Sequence, residues 1–166
     1  MSKILFSGCL LGQKVRYDGR DNLQTNARLQ SPIKAGNVIS ICPEMAGGLP
    51  TPRPPAEIEP GKNVGDIFSG IGRILTNLGD DVTAEYLLGA QKTLELAQKH
   101  DIRVAVLKAR SPSCGSKQVY DGTHSGIKID GMGVTAALLT LHGIHVFDET
   151  EIDAAIDFLT SVSITV

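Results

Sequence analysis

Residues 104–114, VAVLKARSPSC, hold a short apolar run followed by a polar, turn-rich loop with Cys114 inside it. A brief continuous apolar run bounded by turn signals suits a strand covered on both faces. The same form recurs in residues 4–9, ILFSGC, and residues 38–42, VISIC, so Cys9, Cys42 and Cys114 each follow a buried strand. In an open parallel sheet the residues leaving the carboxyl ends of strands gather at one edge, where cysteines distant in sequence can meet. Three converging thiols point to a metal site with one vacant position.

Working outward, residues 3–8 read as the first strand, 22–34 as one short helix and 38–41 as the second strand. Residues 83–99 predict a helix, with Leu87, Ala90, Leu94 and Ala97 on one face and Asp80 and Asp81 at the favourable amino end. Residues 103–107 form a third strand. A helix over 133–141, with Val134, Ala137, Leu138 and Leu141 at helical spacing, leads to a fourth strand at 145–147. Thr150 with Asp153 resembles a capping box opening a last helix, whose buried stripe is Ile152, Ala155, Ile156 and Leu159. Residues 43–60 carry six prolines and two glycines. That composition predicts a stiff, helix-free loop, and attachment to Cys42 makes it a pocket wall. Residues 66–76, with Gly70 and Gly72, predict a small hairpin, and 117–130 an excursion. Alternating strands and helices with right-handed crossovers give an α/β fold. The expected architecture is a three-layer α/β/α sandwich around a mostly parallel, Rossmann-like sheet of four to five strands, one domain spanning residues 1–166.

A chain of 166 residues buries most of its surface without a structural metal or disulfides, so a metal here is expected to be functional. Eighteen acidic against 16 basic residues, with no Lys/Arg run and no Trp, give no footprint for a nucleic-acid polymer or an anionic membrane. The amino-terminal apolar run meets Arg16, Tyr17 and Asp18 too soon for a secretory signal or a spanning helix. An odd number of separated cysteines fits a reducing cytoplasm. The chain ends at Val166, shortly after the last helix, which leaves no accessory domain expected.

Each cysteine taken singly reads as a small buried hydrophobe. Together they offer soft thiolates suited to zinc, copper(I) or an iron-sulfur cluster, and intervals of 33 and 72 residues match no local pattern that would name the metal. Glu44, two residues after Cys42, is either a solvated surface carboxylate or a partly desolvated general acid or base. Ser111 and Ser113 offer hydroxyls at the same edge, or stabilise a turn. Arg16 and Arg53 suit an anionic or carbonyl-bearing ligand, with salt bridges to Asp18 or Glu57 as the alternative, and Tyr17 and Tyr120 suit a flat ring. The four histidines show no ligand pattern. Gly131, Gly133 and Ala136 in GMGVTA match a dinucleotide fingerprint, with Asp148 downstream. The unit over 127–147 is shorter than the roughly thirty residues such units need. A glycine-rich helix start, open to an anion, is the simpler reading.

The strings GCLLGQKVRYDG, CPEMAGGLPTPRPPAEI, DVTAEYLLGA, LKARSPSCGS, YDGTHSG and DGMGVTAALL, in this order over nearly the whole chain, closely resemble the bacterial domain family associated with thiouracil desulfidase. The resemblance implies a 4Fe-4S cluster held by Cys9, Cys42 and Cys114, with one iron lacking a protein ligand and the cluster open to oxidative loss in air. It implies non-redox desulfuration of a thiolated nucleobase or similar small thio-compound, with iron as Lewis acid, water as the attacking group and sulfide as product. Glu44 would activate the water. Ser111, or second Ser113, would move a proton to the ring nitrogen. Two other classes stand beside this reading: a non-catalytic small-molecule or zinc-binding module, and a cluster-dependent enzyme that inserts sulfur.

Overall fold

The computed structural model describes residues 2–164. In chain order its elements are β1 (Ile4–Ser7), α1 (Gln30–Lys34), β2 (Val38–Ile41), α2 (Pro43–Ala46), β3 (Ala56–Ile58), α3 (Val64–Phe68) and β4 (Ile74–Thr76). They continue with α4 (Thr83–Lys99), β5 (Val104–Leu107), β6 (Gln118–Tyr120), β7 (Lys128–Asp130), α5 (Val134–Leu141), β8 (His145–Asp148) and α6 (Ile152–Ile164). The main sheet has four parallel strands in the order β2-β1-β5-β8. Successive side chains of a strand face opposite ways, yet every residue of β1 and β5 is buried. Both faces must therefore be covered. Leu5 packs with Leu94, Ala97 and Leu139 from α4 and α5, while Ile4 and Phe6 pack with Leu29, Ile152 and Ala155 on the other side. The α/β/α sandwich is the expected one, at four strands.

The chain crosses from β2, on one side of β1, to β5 on the other, so the order of connection reverses between β1 and β5. Such a switch point opens a crevice beyond the carboxyl ends of the two strands. Ser7 sits at its base. Its hydroxyl accepts from the Lys108 backbone N–H at 3.0 Å and donates to the Cys114 sulfur at 3.6 Å, joining the two strand ends.

Several expectations need correction. Residues 43–60 are not free of helix: α2 is one turn with Pro43 in its first position, where a missing N–H costs nothing. The predicted hairpin over 66–76 does not form. α3 ends at Phe68 under an Asn63–Asp66 capping box, and β4 pairs instead with β3, antiparallel, from Ala56↔Thr76 to Ile58↔Ile74. These elements build a third cluster of Ala56, Ile58, Ile67 and Ile74 against Tyr86 and Ala90 of α4. The excursion at 117–130 is an antiparallel hairpin of β6 and β7. The helix of 22–34 is confined to a 3-10 turn, Ala27–Leu29, and α1. Before α6 the capping box is Asp148 with Glu151, because the helix opens with a 3-10 turn at Glu149–Glu151. On α5 Leu139 is buried and Leu141 is 73% exposed, so the stripe is rotated from the expected one.

The start of α5 is not open to an anion. The N–H groups of Val134, Thr135 and Ala136 donate to the carbonyls of Pro112 and Ser113, and Gly133 N–H to Gly115. A Cβ on Gly133 would stand 2.5 Å from the Ser113 carbonyl group. The glycine motif thus docks the Cys114 loop on the helix rather than cradling a phosphate.

A second close approach fixes Cys42. A Cβ on Gly89 of α4 would lie 1.9 Å from the Pro43 carbonyl oxygen, and one on Gly47 1.9 Å from that of Glu85. Backbone meets backbone there, and neither side can yield cheaply. Gly89→Ala is expected to destabilise the fold by about 2–3 kcal/mol through overpacking. That corresponds to a fall in Tm of roughly 4–12 °C, read from a thermal melt. An unchanged Tm would show that α2 is free to shift.

Candidate active site

The three strand-end loops enclose a cavity of about 470 Å³ lined by Cys9, Cys42, Cys114 and Glu44. Cys9 lies in a 3-10 turn, Gly8–Leu11, directly after β1; Cys42 follows β2 and precedes Pro43 of α2; Cys114 follows the turn after β5. All three are free thiols. Burial first, then the neighbouring Cys42, pushes the Cys9 thiol up to about 11, with Lys108 and Arg16 pulling it back. Burial pushes Cys114 up to about 12, opposed by Ser7 and aggravated by Glu44 and Cys42. Cys42 is raised by burial as well, and its Sγ faces the Val15 carbonyl at 3.7 Å. The thiols and Glu44 thus lie within electrostatic reach of one another.

Glu44 is fixed from two sides. Its Oε2 accepts from Arg53 Nη2 at 2.6 Å, and its Oε1 accepts from the Tyr86 hydroxyl. Arg53 is buried and also donates to Pro50 O, Thr51 Oγ1 and Val15 O, while its own N–H donates to Tyr17 O at 2.8 Å. Neither Asp18 nor Glu57 is its partner; the bond to Glu44 takes that place. Burial and the Glu44 charge hold the Tyr86 phenol well above its ordinary value, so it remains a donor.

Ser111 lines the cavity, and its Oγ accepts from the N–H groups of Ser113 at 3.2 Å and Cys114 at 2.6 Å. A hydroxyl has two acceptor sites and one donor. With both acceptor sites taken, its hydrogen is left for the cavity. Ser113 stands behind the wall, 1% exposed, its hydroxyl 2.7 Å from Thr135 Oγ1. Arg16, Tyr17, Arg53 and Tyr120 all reach the cavity, with the Arg16 guanidinium 6.0 Å from the centre of the Tyr17 ring.

Sequence reading missed Tyr86, Glu57, His124 and Lys108, all in the lining. Tyr86 was signalled, since it falls four residues before Ala90 on the buried stripe of α4. Lys108 was visible only as the first residue of a polar loop; its Nζ is held 3.1 Å from Glu149 Oε2, whose Oε1 accepts from Ala109 N–H at 2.7 Å. Glu57 and His124 carried no local signal, because they meet only through the hairpin after β5.

The donor set is chemically that of a thiolate cluster site: three soft ligands, unpaired and partly shielded from water. Among the described residues no three His, Cys, Asp or Glu side chains group closely enough to hold a single metal ion. A cluster spreads its ligands over several metal atoms, so three separate strand-end loops can each supply one thiolate.

The family model for 2-thiouracil desulfurase matches residues 4–151. Among curated proteins, the uncharacterized protein YbbK of Bacillus subtilis (strain 168) is 43% identical over 150 residues, covering 90% of this chain and 97% of its own. Among solved structures, the 4Fe-4S-dependent thiouracil desulfidase TudS superposes with a TM-score of 0.87 at 43% identity, covering 96% of this chain and 99% of that one.

Raised thiol pKa values mean little thiolate at neutral pH. In metal-free, reduced protein Cys42, half-buried where Cys9 and Cys114 are buried, is expected to alkylate first. Cys9 and Cys114 should react slowly below pH 9 and faster as pH climbs toward about 11 and about 12. Peptide mass spectrometry after timed iodoacetamide treatment reads the order, and early labelling of Cys114 would show the cavity to be more open than drawn.

Proposed function

We propose, from the premise that this chain belongs to the 2-thiouracil desulfurase family, that it is a single-domain, 4Fe-4S-dependent enzyme that removes sulfur from a thiolated nucleobase or similar thioamide. The observation that carries this reading is the meeting of Cys9, Cys42, Cys114 and Glu44 around one cavity at the switch point of the sheet. The three cysteines would hold the cluster. When bound, the cluster supplies a Lewis acid for the substrate sulfur.

The reaction is a hydrolysis in which C=S and water become C=O and hydrogen sulfide, with no net electron transfer. A carboxylate has more lone-pair sites than the two bonds from Arg53 and Tyr86 occupy, so Glu44 can accept the proton of the attacking water. Arg53 and Tyr86 are positioning residues, since they act through Glu44. Ser111, with only its hydrogen to offer, donates toward the ring nitrogen while the carbon is attacked. Its placement in the lining supports it over Ser113, which is turned toward Thr135. Arg16, Tyr17 and Tyr120 give the cavity a cation and two aromatic faces for a flat polar ring. Water is limited by burial of Glu44, whose side chain is 16% exposed.

We place the protein in a reducing cytoplasm. Three free cysteines support this, and among the described residues no helix is long and apolar enough to cross a membrane.

Anaerobically reconstituted protein is expected to be brown and to release sulfide from 2-thiouracil or a related base, with matching loss of thiocarbonyl absorbance. Glu44→Gln should keep the cluster and lower kcat by about 100-fold or more, in the range of lost general base catalysis. Cys42→Ala should fail to hold a full cluster. A colourless, iron-free wild type, or Glu44→Gln with unchanged kcat, would defeat the proposal.

A further inference from the structure

The cavity holds a second carboxylate that the desulfuration chemistry leaves unused. Glu57 of β3 is 9% exposed, and its Oε1 accepts from the backbone N–H groups of Gly122 at 2.9 Å and His124 at 3.3 Å. Its Oε2 lies 3.4 Å from Nδ1 of His124. Both side chains line the cavity together with Tyr120 and Asn77.

The loop between β6 and β7 is pressed into this position. Gly122 has φ +93°, and a Cβ there would stand 2.4 Å from the Ile58 carbonyl oxygen at the end of β3. Asp121 Oδ1 closes the turn by accepting from Thr123 N–H at 2.9 Å. His124 itself has φ +56°, a left-handed conformation that a non-glycine residue keeps only when its surroundings hold it. One carboxylate thus holds the backbone of His124 by a hydrogen bond and faces Nδ1 of its ring at 3.4 Å.

In a neutral imidazole, a carboxylate beside Nδ1 favours the tautomer with its proton on that nitrogen, which leaves a lone pair on Nε2. Among the described residues no protein group engages that nitrogen. The cationic side chains of the lining, Arg16, Arg53, Lys108 and Arg110, only donate. Glu44 is committed to the water and Glu57 to the loop. The open Nε2 of His124 is thus an acceptor for a ring N–H on the same wall as the Asn77 amide and the Tyr120 hydroxyl.

We propose that His124, oriented by Glu57, is a specificity-determining residue that accepts a hydrogen bond from a ring N–H of the thiolated base. Glu57 is its positioning residue. The inference rests on the desulfidase reading of the same cavity, and two measurements separate their failures.

The first is steady-state kinetics of the cluster-loaded enzyme on 2-thiouracil and on its forms methylated at each ring nitrogen. His124→Phe is expected to raise KM about tenfold with kcat little changed. The loss should vanish for the base methylated at the contacted nitrogen, and His124→Gln, which keeps an acceptor, should recover most of it. Glu57→Gln gives a sharper test. The N–H groups of Gly122 and His124 hold the amide oxygen where Oε1 was, so the amide nitrogen donates to Nδ1 and the ring proton moves to Nε2. KM should then rise as in His124→Phe, with the ring still present. Equal losses on methylated and unmethylated bases, or no change in KM, would overturn the proposal.

The second measurement is NMR of 15N-histidine-labelled, cluster-loaded protein titrated under anaerobic conditions with uracil, which keeps both ring N–H groups and has no sulfur to lose. The Nε2 signal of His124 should move on binding, and in Glu57→Gln the protonated and unprotonated nitrogens should exchange places. If wild-type enzyme releases no sulfide from any base, the desulfidase reading fails while this titration still decides His124. An unmoved Nε2 signal overturns it.

Discussion

Parallel pairing of β1 with both β2 and β5 is the constraint on which the site depends. Ser7 lies opposite Ile41 in one ladder and Phe6 opposite Val106 in the other, so the three chains leave the sheet at one level. Antiparallel pairing at either ladder would send one cysteine to the far end of the molecule. The parallel arrangement needs apolar cover on both faces, which α4 and α5 supply on one side and α6 on the other. The packing that stabilises the sheet and the convergence of thiols are therefore one requirement. Ser7, joining Lys108 N–H to the Cys114 sulfur, is where the two meet.

Convergence of strand ends sets the cysteines near one another, but loops leaving a strand are free to drift. Two backbone contacts remove that freedom. The Cys114 loop is bound by four N–H groups at the head of α5, possible only because Gly133 has no Cβ. The Cys42 turn is pressed on α4 through Gly47 and Gly89, and this same contact brings Tyr86 to Glu44. Rigid elements thus carry the functional groups, which is what holds such groups to a productive geometry.

This division explains what was legible in the sequence. β1, β2, β5 and α4 follow from continuous apolar runs and a helical stripe, signals that local composition carries, and the cysteine convergence follows from them. Residues 43–76 were misread, since the proline count masked a helical turn that tolerates proline at its first position, and β3 finds its partner β4 across α3. The GMGVTA motif docks a loop, a use that depends on a contact twenty residues upstream that no local pattern encodes. Likewise Arg53 shows no sequence relation to Glu44 beyond proximity, and the reach to its buried partner is set by the fold of the loop between them.

The Arg53–Glu44 pair bears on why the cavity is built from polar groups at all. Taking two charges out of water costs several kcal/mol per ion, and a buried pair is weak evidence of stability, since apolar replacements of similar volume often do as well or better. Here the Arg53 side chain is 3% exposed, and its Nε has no partner among the described residues. A fold selected for stability alone gains little from that arrangement. A carboxylate held in one orientation, beside three thiols and away from bulk water, is needed only if its oxygens must meet a reacting group. The buried arginine, the thiols raised by burial and His124 in its left-handed turn all lie on the lining of one cavity. Strained and desolvated groups on the wall of one cavity are expected where function, rather than packing, chose those residues.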